Sequence, residues 1–190
     1  MKTTQSDVLP PKYWGLCKAY LRNSYGLLRG KRGRYYHHPH RYRWIVEKLK
    51  GLDPTPSTVL DVGCLDGYGV EIMKEAGFQA YGIDIYSKAL NGALTKDIGK
   101  VSADHLAFRD KAFDVVVSTG VLEHIHESGT KLVIGELDRV GKRNVHRIHM
   151  KGFGRYSTKG YHVTVKELSF WENLVNEIGA SDRWVIVHDP

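Results

Sequence analysis

VLDVGCLDGYG, residues 59–69, runs from an apolar stretch straight into three glycines and on into the helical pattern YGVEIMKEAG (68–77). The apolar run TVLDVG (58–63) reads as a buried strand, so Gly63, Gly67 and Gly69 fall at a strand-to-helix turn. Glycines there permit positive φ and leave no Cβ in the way, so a ligand can lie against bare backbone N–H groups. A nucleotide-like ligand is implied. The spacing is G-x-x-x-G-x-G rather than G-x-G-x-x-G, and no Lys-Ser/Thr follows, which disfavours both a dinucleotide dehydrogenase and a P-loop enzyme. Asp61, just before the first glycine, would repel a pyrophosphate, but it can accept hydrogen bonds from an ammonium group or from the turn's own amides.

Downstream of this turn, strands and helices alternate. Strand AYGIDI (80–85), helix SKALNGAL (87–94), a short strand near IGKVSA (98–103) and strand FDVVVSTG (113–120) come first. A helix over 128–140, strand NVHRIHM (144–150), helix VKELSFWENLVNEIG (165–179) and strand RWVIVHD (183–189) complete the pattern. Such alternation predicts an α/β fold: a doubly wound, mostly parallel Rossmann-like sheet with helices on both faces. Upstream, a helix is expected between Val8 and Leu28 and a second over Pro39–Lys50, with Tyr42, Ile45, Val46 and Leu49 on one stripe. The Gly-, Arg- and His-rich stretch LRGKRGRYYHHPH between them reads as a loop.

Three more motifs fall at strand ends. Asp84 closes the second strand, where its two oxygens match the vicinal hydroxyls of a ribose. Asp104, in SADHLAF, suits an exocyclic amine such as that of adenine. FDVVVSTGVLEHI ends the fourth strand, and ligands of open α/β sheets bind outside the carboxyl ends of the strands. All four motifs converge on one crevice.

In this order and spacing the four motifs resemble those of the class I S-adenosylmethionine-dependent methyltransferases, particularly the broad group acting on small molecules. The resemblance is strong over about residues 57–126 and weak over 127–190. It implies S-adenosylmethionine as cofactor, with Asp61 and Gly63 bordering its methionine part, Asp84 on the ribose hydroxyls and Asp104 on the adenine amine. Gly67 belongs to the same turn, and main-chain atoms near Cys64, Leu65, Ile85, His105 and Ser118 would line the pocket. Two departures stand out. Leu65 replaces a common Gly and would narrow the cofactor's approach unless its side chain turns away, and Asp66 replaces a Thr or Ser and is placed to help cap the helix near Gly67. The family's sheet usually has seven strands, yet only RWVIVHD follows the last helix. Six strands are therefore expected, with a sheet edge that needs covering, and a homodimer is one way to cover it.

Ten histidines raise the question of a metal. His37, His38 and His40 surround Pro39, while His124 and His126 form an H-x-H beside Glu123, but no further ligands follow at a recognisable spacing, so no metal site is expected. The resemblance makes Glu123-His124 the start of an active-site helix, with His124 a candidate catalytic residue. His146 and His149, on one strand, face opposite ways. The long connection KGFGRYSTKGYHVTV (151–165) sits where a substrate loop would lie and offers Arg155, Tyr156 and His162. His162 is a candidate general base, and Thr164 with Glu167 reads as a capping box. Trp44, Trp171 and Trp184 read as core or interface residues.

Length and charge frame these motifs. A chain of 190 residues, 42% hydrophobic and 26% charged, has room for one domain and a short appendage. Residues 1–50 carry twelve Lys/Arg against Asp7 and Glu47, whereas 51–190 carry sixteen against nineteen acids. The expected division is thus a basic helical arm or lid, 1–50, and a methyltransferase domain, 51–190. The arm would fold over the carboxyl edge of the sheet, with Tyr35, His38 and Arg41 as acceptor contacts, favouring an anionic or aromatic acceptor. No apolar run approaches the ~20 residues of a membrane span. Cys17 and Cys64 form no disulfide pattern, and the cytosol is the expected compartment. The leading expectation is methyl transfer to an oxygen or nitrogen of a small-molecule acceptor. The competing one is a methyltransferase-like binding module, or an RNA methyltransferase, whose arm binds nucleic acid.

Overall fold

The computed structural model describes residues 39–151 and 162–188. Its centre is β1 (Thr58–Val62), a strand rich in β-branched residues and almost wholly buried. After it come α2 (Tyr68–Glu75), β2 (Gln79–Asp84), the single-turn α3 (Ser87–Leu90) and β3 (Ile98–Lys100). β4 (Phe113–Thr119), α4 (Glu127–Val140), β5 (Gly141–Ile148), α5 (Leu168–Glu177) and β6 (Trp184–His188) complete the domain, and α1 (Pro39–Lys50) precedes it.

The six strands form one sheet in the order β3-β2-β1-β4-β5-β6, every neighbouring pair parallel. Both expectations, a doubly wound sheet and six strands, are met. β6 lies directly against β5 in register Asn144↔Trp184, so among the described residues no seventh strand intervenes, and β3 and β6 are the edges. Arg183 clamps β6 in place: its guanidinium donates to both Asp138 oxygens on α4 (2.9 and 2.9 Å), and the Trp184 indole donates to Asp138 Oδ1 (3.0 Å).

Period-two burial splits the core between the two faces. Val59, Val115, Val117 and Val145 point to one face, where Ile45 and Leu49 of α1 pack with Val70 and Met73 of α2. Leu60, Val62, Val116 and Ile148 point to the other and meet Val133, Ile134 and Leu137 of α4 and Trp171 and Val175 of α5. The second helix of the expected arm, Pro39–Lys50 (12 residues), is therefore packed on the domain. Residues 1–38, with the expected Val8–Leu28 helix, Cys17, Tyr35 and His38, lie outside the described residues, as do Arg155 and Tyr156.

Two helices are shorter than expected. Helix 87–94 stops at Leu90, because the Leu94 amide instead donates to the Asp66 carbonyl beside the glycine turn (2.8 Å). The final helix begins at Leu168 rather than 165, and the Thr164–Glu167 capping box is corrected with it. The Thr164 hydroxyl donates to the Ile125 carbonyl (2.6 Å), and Glu167 is the N-cap residue, without a side-chain cap bond.

Candidate active site

The turn after β1 is held open by its own backbone. Gly63 (φ 79°) and Gly67 (φ 84°) are left-handed, and a Cβ at either would strike a neighbour: Val121 at 2.3 Å for Gly63, Thr95 at 2.7 Å for Gly67. The Gly63 and Cys64 amides both donate to the Ile83 carbonyl of β2 (2.8 and 3.1 Å). Leu65 is left-handed too (φ 53°), an arrangement that costs a branched side chain about 1 kcal/mol or more. What it secures is a bond from the Leu65 amide to Asp84 Oδ2 (2.9 Å), while the Tyr86 amide donates to Oδ1 (2.7 Å). Asp84 thus joins the β1 and β2 loops, and each oxygen keeps a lone pair for a further donor. Burial lifts its carboxyl above the usual range, while the Tyr86, Leu65 and Ile85 amides pull it back down. Asp66 caps weakly: its Oδ1 receives the Tyr68 amide at 3.4 Å.

Asp61 is the unusual group. Its side chain is buried at the end of β1, and Oδ2 has no hydrogen-bond partner among the described residues. Burial, and then the charge of Asp84, push its carboxyl up to about 8. Gly69 makes the space: a Cβ there would lie 2.0 Å from the Tyr42 ring and 2.8 Å from Asp61 Oδ2. Tyr42 therefore lies across the turn, edge-on to Tyr68 (ring centroids 5.7 Å apart). It was not among the expected site residues; its place on the apolar stripe of α1 was the available signal. Cys64 is buried, and its thiol is pushed far up by burial and by Asp61 and Asp84, so it is no nucleophile.

Asp104 is buried and His105 exposed in the turn after β3. That turn is tied to α4: Glu136 accepts from the Leu106 amide (2.7 Å), and Arg139 donates to the Leu106 and Phe108 carbonyls (2.8 Å each). The Ser118 side chain does not reach the crevice. It meets His146 Nδ1 at 2.7 Å under α4 and α5, while Nε2 meets Asn144 Oδ1 at 3.3 Å. Burial holds His146 neutral, its pKa lowered to about 3.

A single-turn 3-10 helix, Leu122–His124, follows β4 and presents the buried Glu123 and half-buried His124. His162 lies beside them, its ring 4.7 Å from that of His124. His126 does not join its neighbour: its Nδ1 accepts from the Ser128 amide (3.3 Å), capping α4. His149, past the end of β5, stands 4.6 Å from His162, ring to ring, a contact that sequence reasoning did not foresee. Arg41 lies in the first turn of α1.

Residues 34–139 match the family model described as "Methyltransferase domain". The chain belongs to that family. The methyltransferase domain is 36% identical over 98 residues to a ubiquinone biosynthesis O-methyltransferase of Paraburkholderia phytofirmans, a match covering 46% of this chain and 40% of the relative. The match thus spans well under two thirds of the relative's length. In fold it superposes on a 1,6-didemethyltoxoflavin-N1-methyltransferase of Burkholderia thailandensis solved with its substrate and S-adenosylhomocysteine (TM-score 0.64, 17% identity, 89% of this chain and 78% of that one). It also superposes on a SAM-dependent methyltransferase of Archaeoglobus fulgidus (TM-score 0.61, 21% identity, 88% and 74%).

Proposed function

We propose that the chain transfers a methyl group from S-adenosylmethionine to an oxygen of a small-molecule acceptor. The observation that carries this is the Asp61–Asp84 pair around the glycine turn: one buried carboxyl oxygen has no partner among the described residues, and a second carboxylate has two lone pairs to spare. A cationic methionine end beside Asp61 and a ribose diol at Asp84 satisfy both, so the residues fit the cofactor. That cofactor supplies an already activated methyl group on sulfur, and the chain's work is alignment, exclusion of water and removal of the acceptor's proton. Asp61 and the bare turn hold the methionine end, Asp84 the ribose and Asp104 the adenine amine. Glu123, His124 and His162 stand where an acceptor hydroxyl gives up its proton. The sequence relative's name supports oxygen as the target, whereas the toxoflavin enzyme, alike only in fold, methylates nitrogen.

In this reading the basic arm supplies acceptor contacts from Tyr35, His38 and Arg41, and Arg155 and Tyr156 add to them. Among the described residues β6 is an outer edge of the sheet, which supports a homodimer. No helix among the described residues is long and apolar enough to cross a membrane. Calorimetric titration with S-adenosylmethionine and S-adenosylhomocysteine tests the reading, and absence of heat with both ligands defeats it.

A further inference from the structure

Four side chains from three separate elements meet on the acceptor side. Glu123 and His124 come from the turn after β4, His149 from just beyond β5, and His162 from the segment that returns toward α5. Ligand atoms of Glu123, His124 and His162 all lie within 4.8 Å of one another. Donors at about 2.0–2.2 Å from a shared ion stand roughly 3–4 Å apart, so small side-chain rotations bring these three onto one centre. The backbone already fixes their relation. The Glu123 carbonyl accepts from both the Val163 and Thr164 amides (3.0 Å each), and the buried Thr164 hydroxyl donates to the Ile125 carbonyl (2.6 Å). Glu123 itself is 1% exposed, so its carboxylate is presented from inside the fold beside the two imidazoles.

We propose that Glu123, His124 and His162 form a divalent-metal site, with His149 as the flanking group that orients His162, and that the metal binds the hydroxyl to be methylated. Two imidazoles and one carboxylate suit Zn²⁺, Fe²⁺, Co²⁺ or Mn²⁺ rather than Ca²⁺, and leave coordination positions open. The location matches the use. Val121, the residue before this turn, is what a Cβ on Gly63 would strike, so the cluster abuts the glycine turn that would hold the cofactor. An acceptor with two adjacent oxygens, a catechol or another vicinal diol, chelates such an ion and presents one oxygen for attack. The proton of the bound hydroxyl passes to water and that oxygen forms the new bond to the methyl carbon. The carbon–sulfur bond breaks with its electron pair going to sulfur, leaving a neutral thioether. This use of the ion rests on the methyltransferase reading; the metal site itself does not.

The test uses the whole chain, stripped with a chelator and titrated with Co²⁺, read by its visible absorption and by calorimetry with Zn²⁺ as competitor. One Co²⁺ per chain is expected. His162→Ala and His124→Ala should each weaken binding at least tenfold, while S-adenosylhomocysteine affinity and the far-ultraviolet circular dichroism stay as in the parent. Glu123→Gln keeps the shape of the buried side chain and should also weaken Co²⁺ at least tenfold. His126→Ala should leave Co²⁺ affinity unaltered, and a loss there equal to that of His124→Ala would place the ion on the H-x-H pair and overturn the site. A parent chain that binds S-adenosylhomocysteine but neither Co²⁺ nor Zn²⁺ sinks the metal inference and spares the methyltransferase reading. Metal binding without S-adenosylhomocysteine binding does the reverse.

Discussion

Replacing Asp61 by Asn should change both the pH dependence of stability and the proton balance of cofactor binding. The folded carboxyl titrates near 8 instead of 3.8, so between about pH 4 and 8 the folded chain holds a proton that the unfolded chain has lost. Its contribution to stability is complete below about pH 4 and is lost as pH rises through 8. At about 1.4 kcal/mol per pH unit the displacement caps this loss at ~6 kcal/mol, and relaxation around the buried charge reduces it to a few kcal/mol. Urea unfolding of the parent should therefore weaken from pH 5 to pH 9 more steeply than that of Asp61→Asn. An ammonium placed against Asp61 restores the charged form, so binding of S-adenosylhomocysteine near pH 6.5 should release close to one proton. Calorimetry in two buffers of different ionisation enthalpy counts that proton, and Asp61→Asn should release none while losing about 1.5–3 kcal/mol of affinity for the missing charged hydrogen bond. Equal unfolding slopes for the two chains would refute the burial argument. Equal proton counts would refute the placement of the ammonium.

Asp84→Asn should weaken cofactor affinity by about 1.5–3 kcal/mol in a folded protein, since it removes the charged acceptor from the ribose, and calorimetric titration measures it. Leu65→Gly relieves a left-handed leucine and should leave cofactor affinity unchanged or improved, with unfolding stability within about 1 kcal/mol of the parent. A marked loss of affinity would make Leu65 a packing element of the pocket. His146 stays neutral when folded, with a pKa near 3, so its contribution to stability is present above about pH 6.5 and is lost as pH falls toward 3. His146→Gln should flatten that acid limb in a pH series of thermal unfolding, and an unaltered limb would assign it to other groups.

The sheet and the glycine turn with its flanking carboxylates were legible because their signals are local. An apolar run followed by Gly63, Gly67 and Gly69 specifies a strand, an open turn and a helix within eleven residues, and Asp84 is found by counting along the next strand. Where the reading slipped, a distant partner took a group that the local rule had assigned elsewhere. The Leu94 amide, which would have extended α3, goes to the Asp66 carbonyl, and the Thr164 hydroxyl, which would have capped α5, goes to the Ile125 carbonyl. Neither partner lies within twenty residues, so no window of helical spacing could have found it.

The histidine cluster was hard to read for the same reason. His124 and His126 are only two residues apart in sequence, but the turn ends between them and sends His126 to cap α4. His149 and His162 come from different stretches, and they reach His124 because β5 lies beside β4 and because the Val163 and Thr164 amides fasten the returning chain to the Glu123 carbonyl. That carbonyl accepts two amides, so the returning segment is positioned by the same turn that presents Glu123 and His124. The bond that misplaced the start of α5 in the sequence reading is therefore one of those that hold His162 against its partners. A helix begun at 165, with Thr164 spent as its cap, would have freed the Ile125 carbonyl and loosened that hold. The late start of α5 and the gathering of the histidines are two consequences of one set of hydrogen bonds.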